Sequence, residues 1–517
     1  MNSPVLVRLG LMLWFVFWFA AAAVTPQEAT QGDPPESIED DIQKAAMRFL
    51  DAYRTGDEPG MKSIAGNRRI DPFLVAHALL RLQLLSSGEK GDRLPAAIAL
   101  GKRVSGKRTR KSLLELVCAW RAFSEEDRAR ETRLLAGLEK IRTANLAGAW
   151  NEATASAAAL HDDLERAGNS MTAVLVRLAV VPALRNSRQT KRARQALRLA
   201  AAGMKQFSWD TGRAAARIIA NPDSVKVKRP DHKRAFALLQ ISRTTGDLHG
   251  VWIAYHHLGS FEKIQRRYPR AILYHRRALD TAEKAGNRSW QGTSRMNLGN
   301  ACMRMGKLEK ARSIFERAAE DMEATGNREG IANALANLGN ICRQMGRYED
   351  ARRKYTRAFE ILGSMNKPML NRRGMADILI SLGMVDMETR RYQEALRNIE
   401  RARKIYDDLG DRARGMMALA SSGSVHLYLG HFARARDHFE KAASFFRKAR
   451  KFHRLVRILG NLGVLNQLTS QYAKALWNYE EALQLTREPL VAARLRAKIA
   501  EIHSVLGRKD VALDHLP

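Results

Sequence analysis

NLGNACMRMGKLEKARSIFERA, residues 297–318, and NLGNICRQMGRYEDARRKYTRA, residues 337–358, are the same sentence written twice, forty residues apart. Asn, Leu, Gly, Asn, a later Gly and a set of Ala or aromatic positions are kept while the rest drifts. Working outward, the first glycine aligns with Gly259, Gly299, Gly339, Gly383, Gly423 and Gly463, at intervals of 40, 40, 44, 40 and 40. Twelve residues after each stands Ala271, Ala311, Ala351, Ala395, Ala435 or Ala475. Nineteen after stands Ala278, Ala318, Ala358, Ala402, Ala442 or Ala482. Sixteen after, Phe315, Tyr355, Ile399, Phe439 and Tyr479 are large, and His275 fills the first unit. A shorter seventh unit places Ala500, Ala512 and Leu516 in the same slots.

The pattern has a physical meaning. Leu-Gly on one helix and Ala on the next are small because two antiparallel helices approach closely there, and the large residue fills the space beside them. One such pair cannot bury its own face, so neighbours must stack. Gly followed by Asn or Asp, at Gly246, Gly286, Gly326 and Gly410, is a helix stop and turn signal between units.

These features resemble the tetratricopeptide repeat, whose first helix carries Leu-Gly and whose second carries Ala-x3-Phe. The common unit is roughly 34 residues, whereas this one is forty. That longer form resembles Pins/LGN-type spindle adaptors and the arrays that precede CHAT protease domains in bacteria. The resemblance covers residues 236–517, as about seven units, and implies an all-α, right-handed superhelical solenoid of antiparallel helix pairs. Residues 38–220 are expected to be helical and partly degenerate repeats, since AGNS at Gly168 and RARQALRLA from Arg192 echo the pattern. Residues 221–235, with Pro222 and Pro230, are expected to be a linker.

The N-terminus is different in kind. After Arg8 come sixteen uncharged residues, then small residues from Ala20 to Ala23, then an acidic Pro-rich stretch over 24–37. A span usually needs about 20 apolar residues, so residues 1–23 read as an export signal cut near Ala23, or as an uncleaved membrane anchor. The expectation is an exported, periplasmic or extracellular protein, or one tethered to the membrane by that segment. Of the three cysteines, Cys302 and Cys342 occupy equivalent slots about a helix pair apart, near 10 Å. That is too far for a disulfide, so both, like Cys118, are expected to be small core residues.

No Walker-type loop, G-x-S-x-G, H-E-x-x-H or C-x-x-C is present. His256 and His257 are adjacent but lack further ligands at metal spacing, so neither a metal nor a cofactor is expected. No span for a CHAT protease remains after the repeats, and no catalytic residue is assigned. The expectation is a non-enzymatic scaffold for protein partners. The alternative is the repeat half of a CHAT-type system whose catalytic chain is separate. A net charge of +33, from 87 basic against 54 acidic residues, with runs at 102–111 and Lys226–Arg234, keeps a third reading of nucleic-acid or anionic-polymer binding. Without aromatic interleaving it ranks last.

In tetratricopeptide proteins the positions six, three and two before the glycine, and one after it, face a concave channel that holds a partner peptide. Carried onto this sequence, the slot two before gives His257, Asn297, Asn337, Ser381, Ser421 and Asn461. The slot one after gives Ser260, Asn300, Asn340, Met384, Ser424 and Val464. Six before gives Ile253, Thr293, Asn333, Asp377, Met417 and Arg457. Asn and Ser are mediocre mid-helix residues, and an amide can serve both backbone groups of an extended peptide. The lesser reading is that these side chains bridge adjacent helices and rigidify the stack. The strongest groove is expected from Asn297 to Arg343, with Arg304 and Arg343 either favouring acidic peptides or standing as solvated helix ends. Membrane contact is expected only through the N-terminal segment, and self-association through Val511, Leu513 and Leu516 at the last unit.

Overall fold

The computed structural model describes residues 38–55, 124–168, 170–206, 232–365 and 368–514, with isolated positions between 57 and 100. Residues 1–37, the basic run 102–111, Cys118, residues 221–231 and Leu516 lie outside the described residues. So the export or anchor segment, the first basic run and most of the expected linker are not located. The last positions of that linker, from His232, are already helix.

Every regular element among the described residues is helical. Before the repeats come α1 (Ile38–Thr55), α2 (Glu125–Leu146), α3 (Trp150–Ala158), α4 (His161–Arg166), α5 (Met171–Asn186) and α6 (Thr190–Gln206). The repeats follow as α7 (His232–Thr244), α8 (Leu248–Ile264), α9 (Tyr268–Lys284), α10 (Arg288–Arg304), α11 (Leu308–Ala324), α12 (Arg328–Gln344) and α13 (Tyr348–Gly363). They continue with α14 (Pro368–Glu388), α15 (Tyr392–Asp408), α16 (Arg412–Tyr428), α17 (Phe432–Lys448), α18 (Phe452–Leu468) and α19 (Tyr472–Leu485), then α20 (Pro489–Val505) and α21 (Lys509–Asp514). The chain divides into two compact units at Ile314/Phe315, inside α11. Within each, consecutive helices pack as antiparallel pairs, so the expected all-α solenoid architecture is the one observed.

In the first unit the core runs from Ala45 on α1 to Ala278 on α9, and so includes helices from both sides of residues 221–231. Its centre is α5, buried on all faces from Met171 to Leu184, as an all-round apolar helix must be. Buried Asn145 on α2 donates to Ala179 O (2.7 Å) on α5 and to Thr245 O (2.9 Å) after α7.

The second unit shows why the repeat keeps its glycine. A Cβ on Gly339 would stand 2.7 Å from Cε1 of Tyr355, the residue sixteen positions on. Gly383, Gly423 and Gly463 meet Ile399, Phe439 and Tyr479 in the same way, and in the first unit Gly259 meets His275. The Ala slots twelve and nineteen after the glycine are all 0% exposed. Helix pairing is thus specified by residue size. Cys302 and Cys342 are buried and not joined in a disulfide, as expected.

The turns follow the same economy. Gly286, at φ 61°, ends α9 in the left-handed conformation that glycine alone adopts without cost. The Asn after it then accepts from Trp290 N (3.1 Å) and caps the next helix. Asn327 caps α12 likewise through Gly330 N (2.9 Å), and Asp411 caps α16 through Arg414 N (3.2 Å). The turn inside each repeat also has positive φ, but Arg266, Arg390 and Ser470 occupy it where Gly306, Gly346 and Gly430 do elsewhere. No helix among the described residues is long and apolar enough to cross a membrane. Val511 and Leu513 on α21 are exposed.

Candidate functional site

Of the residues named from the repeat pattern, some are consumed by helix packing and others meet around a cavity. In the first unit Asn297 belongs to the first kind. Its Nδ2 donates to His256 Nε2 on α8 (2.7 Å) and to Thr293 O one turn back (3.0 Å). An amide donor requires an unprotonated Nε2, and burial, with His257 and Lys263 adding to it, holds His256 down at about 4. His257 is half-buried and is also lowered by burial. Beside this bridge Trp252 donates to Ser294 Oγ (2.9 Å), and Trp252, Trp290 and His249 form a cluster of stacked rings, with Trp290 5.1 Å from Trp252 and 4.4 Å from His249. This aromatic stack was not foreseen, although the Trp slots lie on the same helices as the Asn slots. Arg304 is exposed and Asn300 half-buried.

In the second unit Asn340 accepts from Tyr355 OH (2.8 Å), so it holds the very ring that fills the space beside Gly339. Burial pushes that phenol up to about 12. Arg343, 9% exposed, gives Nη1 to Glu388 Oε1 at 2.7 Å across to α14. Its charge is met within the fold, while burial raises the Glu388 carboxyl against the pull of Arg343. Asn333 is exposed and Asn337 half-buried. Ser381 and Ser421 bond back to Asp377 O and Met417 O (both 3.1 Å), the usual outlet for a mid-helix hydroxyl. Asn461 Nδ2 reaches Ser424 Oγ on α16 at 3.4 Å.

The cavity lies further along than the Asn297–Arg343 stretch, on α14, α15, α16 and α18, with a volume of about 320 Å³. Asp377, Met417 and Arg457 line it from the slot six before the glycine, Ile380 from three before, Ser421 from two before and Met384 from one after. Ala418, Tyr406, Arg414, His453 and Arg454 complete the wall. The last set escaped the sequence reading, yet a signal existed: Arg414 and Arg454 both stand nine before their glycine, where earlier units have Gly250, Trp290, Gly330 and Gly374. That slot lies one turn ahead of the six-before slot and shares its face.

Electrostatically the wall holds three guanidiniums against one carboxylate. Asp377 Oδ1 accepts from Tyr406 OH (2.6 Å) and lies 3.8 Å from Arg414 Nε. Burial and this carboxylate raise the Tyr406 phenol, keeping it a donor. Arg454 is held by Ala413 O (3.1 Å) and by the Phe446 ring beneath it, 5.6 Å from the centroid. Arg457 keeps solvent access in the concavity, but surrounding protein and then Arg454 lower its pKa. Burial lowers His453 as well, with Arg454 the next cause. Among the described residues no group of three or more His, Cys, Asp or Glu is placed to hold a metal.

Comparison with known proteins identifies the repeat. The tetratricopeptide repeat family model matches residues 253–320, 290–364 and 374–448. No curated protein matches the chain. Among solved structures, the apo quorum sensor NprR from B. thuringiensis is 14% identical, with a TM-score of 0.48 over 66% of this chain and 95% of that one. A signal transduction ATPase with a tetratricopeptide repeat sensor, PH0952 from Pyrococcus horikoshii, is 15% identical, with a TM-score of 0.44 over 87% of this chain and 72% of that one. From the matched repeats and the helix pairs that embody them, residues 253–364 and 374–448 of this chain are tetratricopeptide repeats.

Proposed function

We propose that this protein is a non-enzymatic scaffold that captures a segment of a partner protein on the surface formed by the first helices of its repeats. Tetratricopeptide repeats fit a protein-interaction role. The observation that carries the reading is the cavity itself: Asp377, Met384, Met417, Ser421 and Arg457, chosen by their distance from the repeat glycine, come together around one concave space. At about 320 Å³ it falls within the roughly 300–1,000 Å³ of ordinary ligand pockets. Export or tethering through residues 1–23 would set the partner in the cell envelope or outside the cell.

The test is a selection of displayed random peptides on the full chain, repeated on Met417→Trp, whose indole fills the cavity. Peptides that bind the parent and lose Met417→Trp support capture in the groove. If every selected peptide binds both proteins alike, the groove is not the binding surface.

A further inference from the structure

Three histidines meet at the turn inside the fifth repeat. His426 near the end of α16, His431 just before α17 and His438 on α17 stand three, eight and fifteen positions after Gly423. No other unit carries His in all three slots. In the unit before, those slots hold Asp386, Arg391 and Asn398, and Asp386 Oδ2 accepts from Asn398 Nδ2 at 2.8 Å. Three imidazoles cannot complement one another in that way. His426 Nδ1 lies 3.4 Å from His431 Nδ1, longer than a good hydrogen bond. His438, its ring centroid 5.3 Å from that of His426, has Nδ1 buried with no hydrogen bond.

The backbone holds the first two in register. His431 N donates to His426 O (2.9 Å) across Gly430, whose φ of 75° makes the turn. Two imidazole nitrogens that each bind one tetrahedral ion at about 2.0–2.1 Å stand about 3.3–3.4 Å apart. A cis pair in a square-planar site would stand closer, at about 2.9 Å. The separation of 3.4 Å between His426 and His431 fits the tetrahedral ion.

We propose that His426 and His431 bind Zn2+ through their Nδ1 atoms, clipping the end of α16 to the start of α17, with water in the remaining positions. Unlike His256 and His257, which are neighbours on one helix, this pair is assembled by a turn. Among the described residues no third His, Cys, Asp or Glu is placed to complete the set, so His438 lines the cluster and is not assigned as a ligand. The ion takes both rings neutral. Whichever ring carries its hydrogen on Nδ1 moves it to Nε2, and the two lone pairs become available with no net release of a proton. His431 is exposed and gives the ion its way in, while His426 is buried. Imidazole nitrogen suits zinc, whereas Mg2+ takes oxygen ligands.

Calorimetric titration of the tag-free full chain with Zn2+ alone, followed by hydrogen exchange of the same samples, tests the site. Saturable uptake is expected, with slower exchange of the amides that join α16 to α17, because an ion bound only by the folded turn stabilises it. The sixth unit supplies the variants. It carries Asn466 and Gln471 where the fifth carries His426 and His431, so His426→Asn and His431→Gln introduce residues that the repeat already accepts. A residue that merely supports a metal ligand is worth 10–100-fold in affinity, so either variant should weaken uptake by at least about tenfold and abolish the slowing. His161→Gln, at an exposed position on α4, should change neither. His431→Gln carries the test if His426→Asn fails to fold, since His431 is exposed. No uptake by the parent, equal uptake by His431→Gln and the parent, or slowing confined to other parts of the chain overturns the proposal. Slowing by Mg2+ that matches the effect of Zn2+ overturns it as well.

Discussion

Replacing Gly339 by Ala separates two opposed expectations. Helix propensity alone predicts a gain of about 1 kcal/mol, because Gly339 lies inside α12 and loses more backbone freedom on folding than Ala would. Packing predicts the reverse. The new Cβ would stand 2.7 Å from Tyr355 Cε1 and 2.9 Å from its Cδ1 and Cζ. The ring cannot yield easily: it is 0% exposed and its hydroxyl is held by Asn340 Oδ1 at 2.8 Å. Overpacking of this kind costs about 1–3 kcal/mol, so the net effect is a loss of about 1 kcal/mol, some 2 kcal/mol away from the propensity expectation. Native-state hydrogen exchange of the α12 and α13 amides reads the change locally, where a melt of a long repeat array is not a single transition. Pairing Gly339→Ala with Tyr355→Leu should cost less than the sum of the two, since the smaller side chain vacates the space. A Gly339→Ala protein with stronger protection than the parent would refute the claim that the ring dictates the glycine.

Three other outcomes are expected. Arg450 ends α17 at φ 50°, so Arg450→Gly should stabilise by about 1 kcal/mol, measured as slower exchange around that turn. His275 is 0% exposed with neither ring nitrogen hydrogen-bonded, in a slot where other repeats carry Phe, Tyr or Ile, so His275→Phe should raise stability by about 1 kcal/mol. His256, His257 and His275 all have folded pKa values below the ordinary 6.5, His256 at about 4, so the unfolded chain binds more protons between those values. Stability is therefore full above pH 6.5 and falls on acidification towards 4, at about 1.4 kcal/mol per pH unit for each such proton. Hydrogen-exchange protection factors of the α8 and α9 amides across that range should fall less steeply in His275→Phe. Finally, Arg343→Met alone strands the buried Glu388 carboxylate and should cost about 3 kcal/mol in denaturant unfolding, whereas Arg343→Met with Glu388→Leu should return close to the parent.

What could be read in the sequence was what side-chain size encodes. Gly, Ala and the large residue sixteen positions on report the distance between paired helices, and that distance recurs in every unit. Turn geometry was only half legible, because Arg266, Arg390 and Arg450 take a backbone conformation that their residue type disfavours and only the register of the repeat betrays. His275 could be placed in its slot, but its lack of partners belongs to the surrounding side chains. The cavity was missed in detail for a further reason. Its charge comes from the slot nine before the glycine, outside the set carried over from the family pattern, and its position along the array depends on which repeats have spent their polar side chains on one another.

The asparagines sharpen this last point. An amide in a groove offers a partner one acceptor and two donor hydrogens, but Asn297 gives donors to both His256 and Thr293 O, leaving its acceptor as the capacity in hand. Asn340 gives its acceptor to Tyr355 and keeps its donors. These two asparagines, one two residues before its glycine and the other one residue after, therefore present opposite faces of the amide. Changing both to Ala would confuse loss of a partner with loss of packing. Asn340→Asp retains the acceptor for Tyr355 and removes only the donors, so it tests whether the amide meets a partner without loosening the ring against Gly339. If Asn340→Asp and Asn340→Ala bind selected peptides equally to the parent, while only the Ala form loses protection in α13, the asparagine of this slot belongs to the stack. Recognition then rests with the arginine-lined cavity further along the chain.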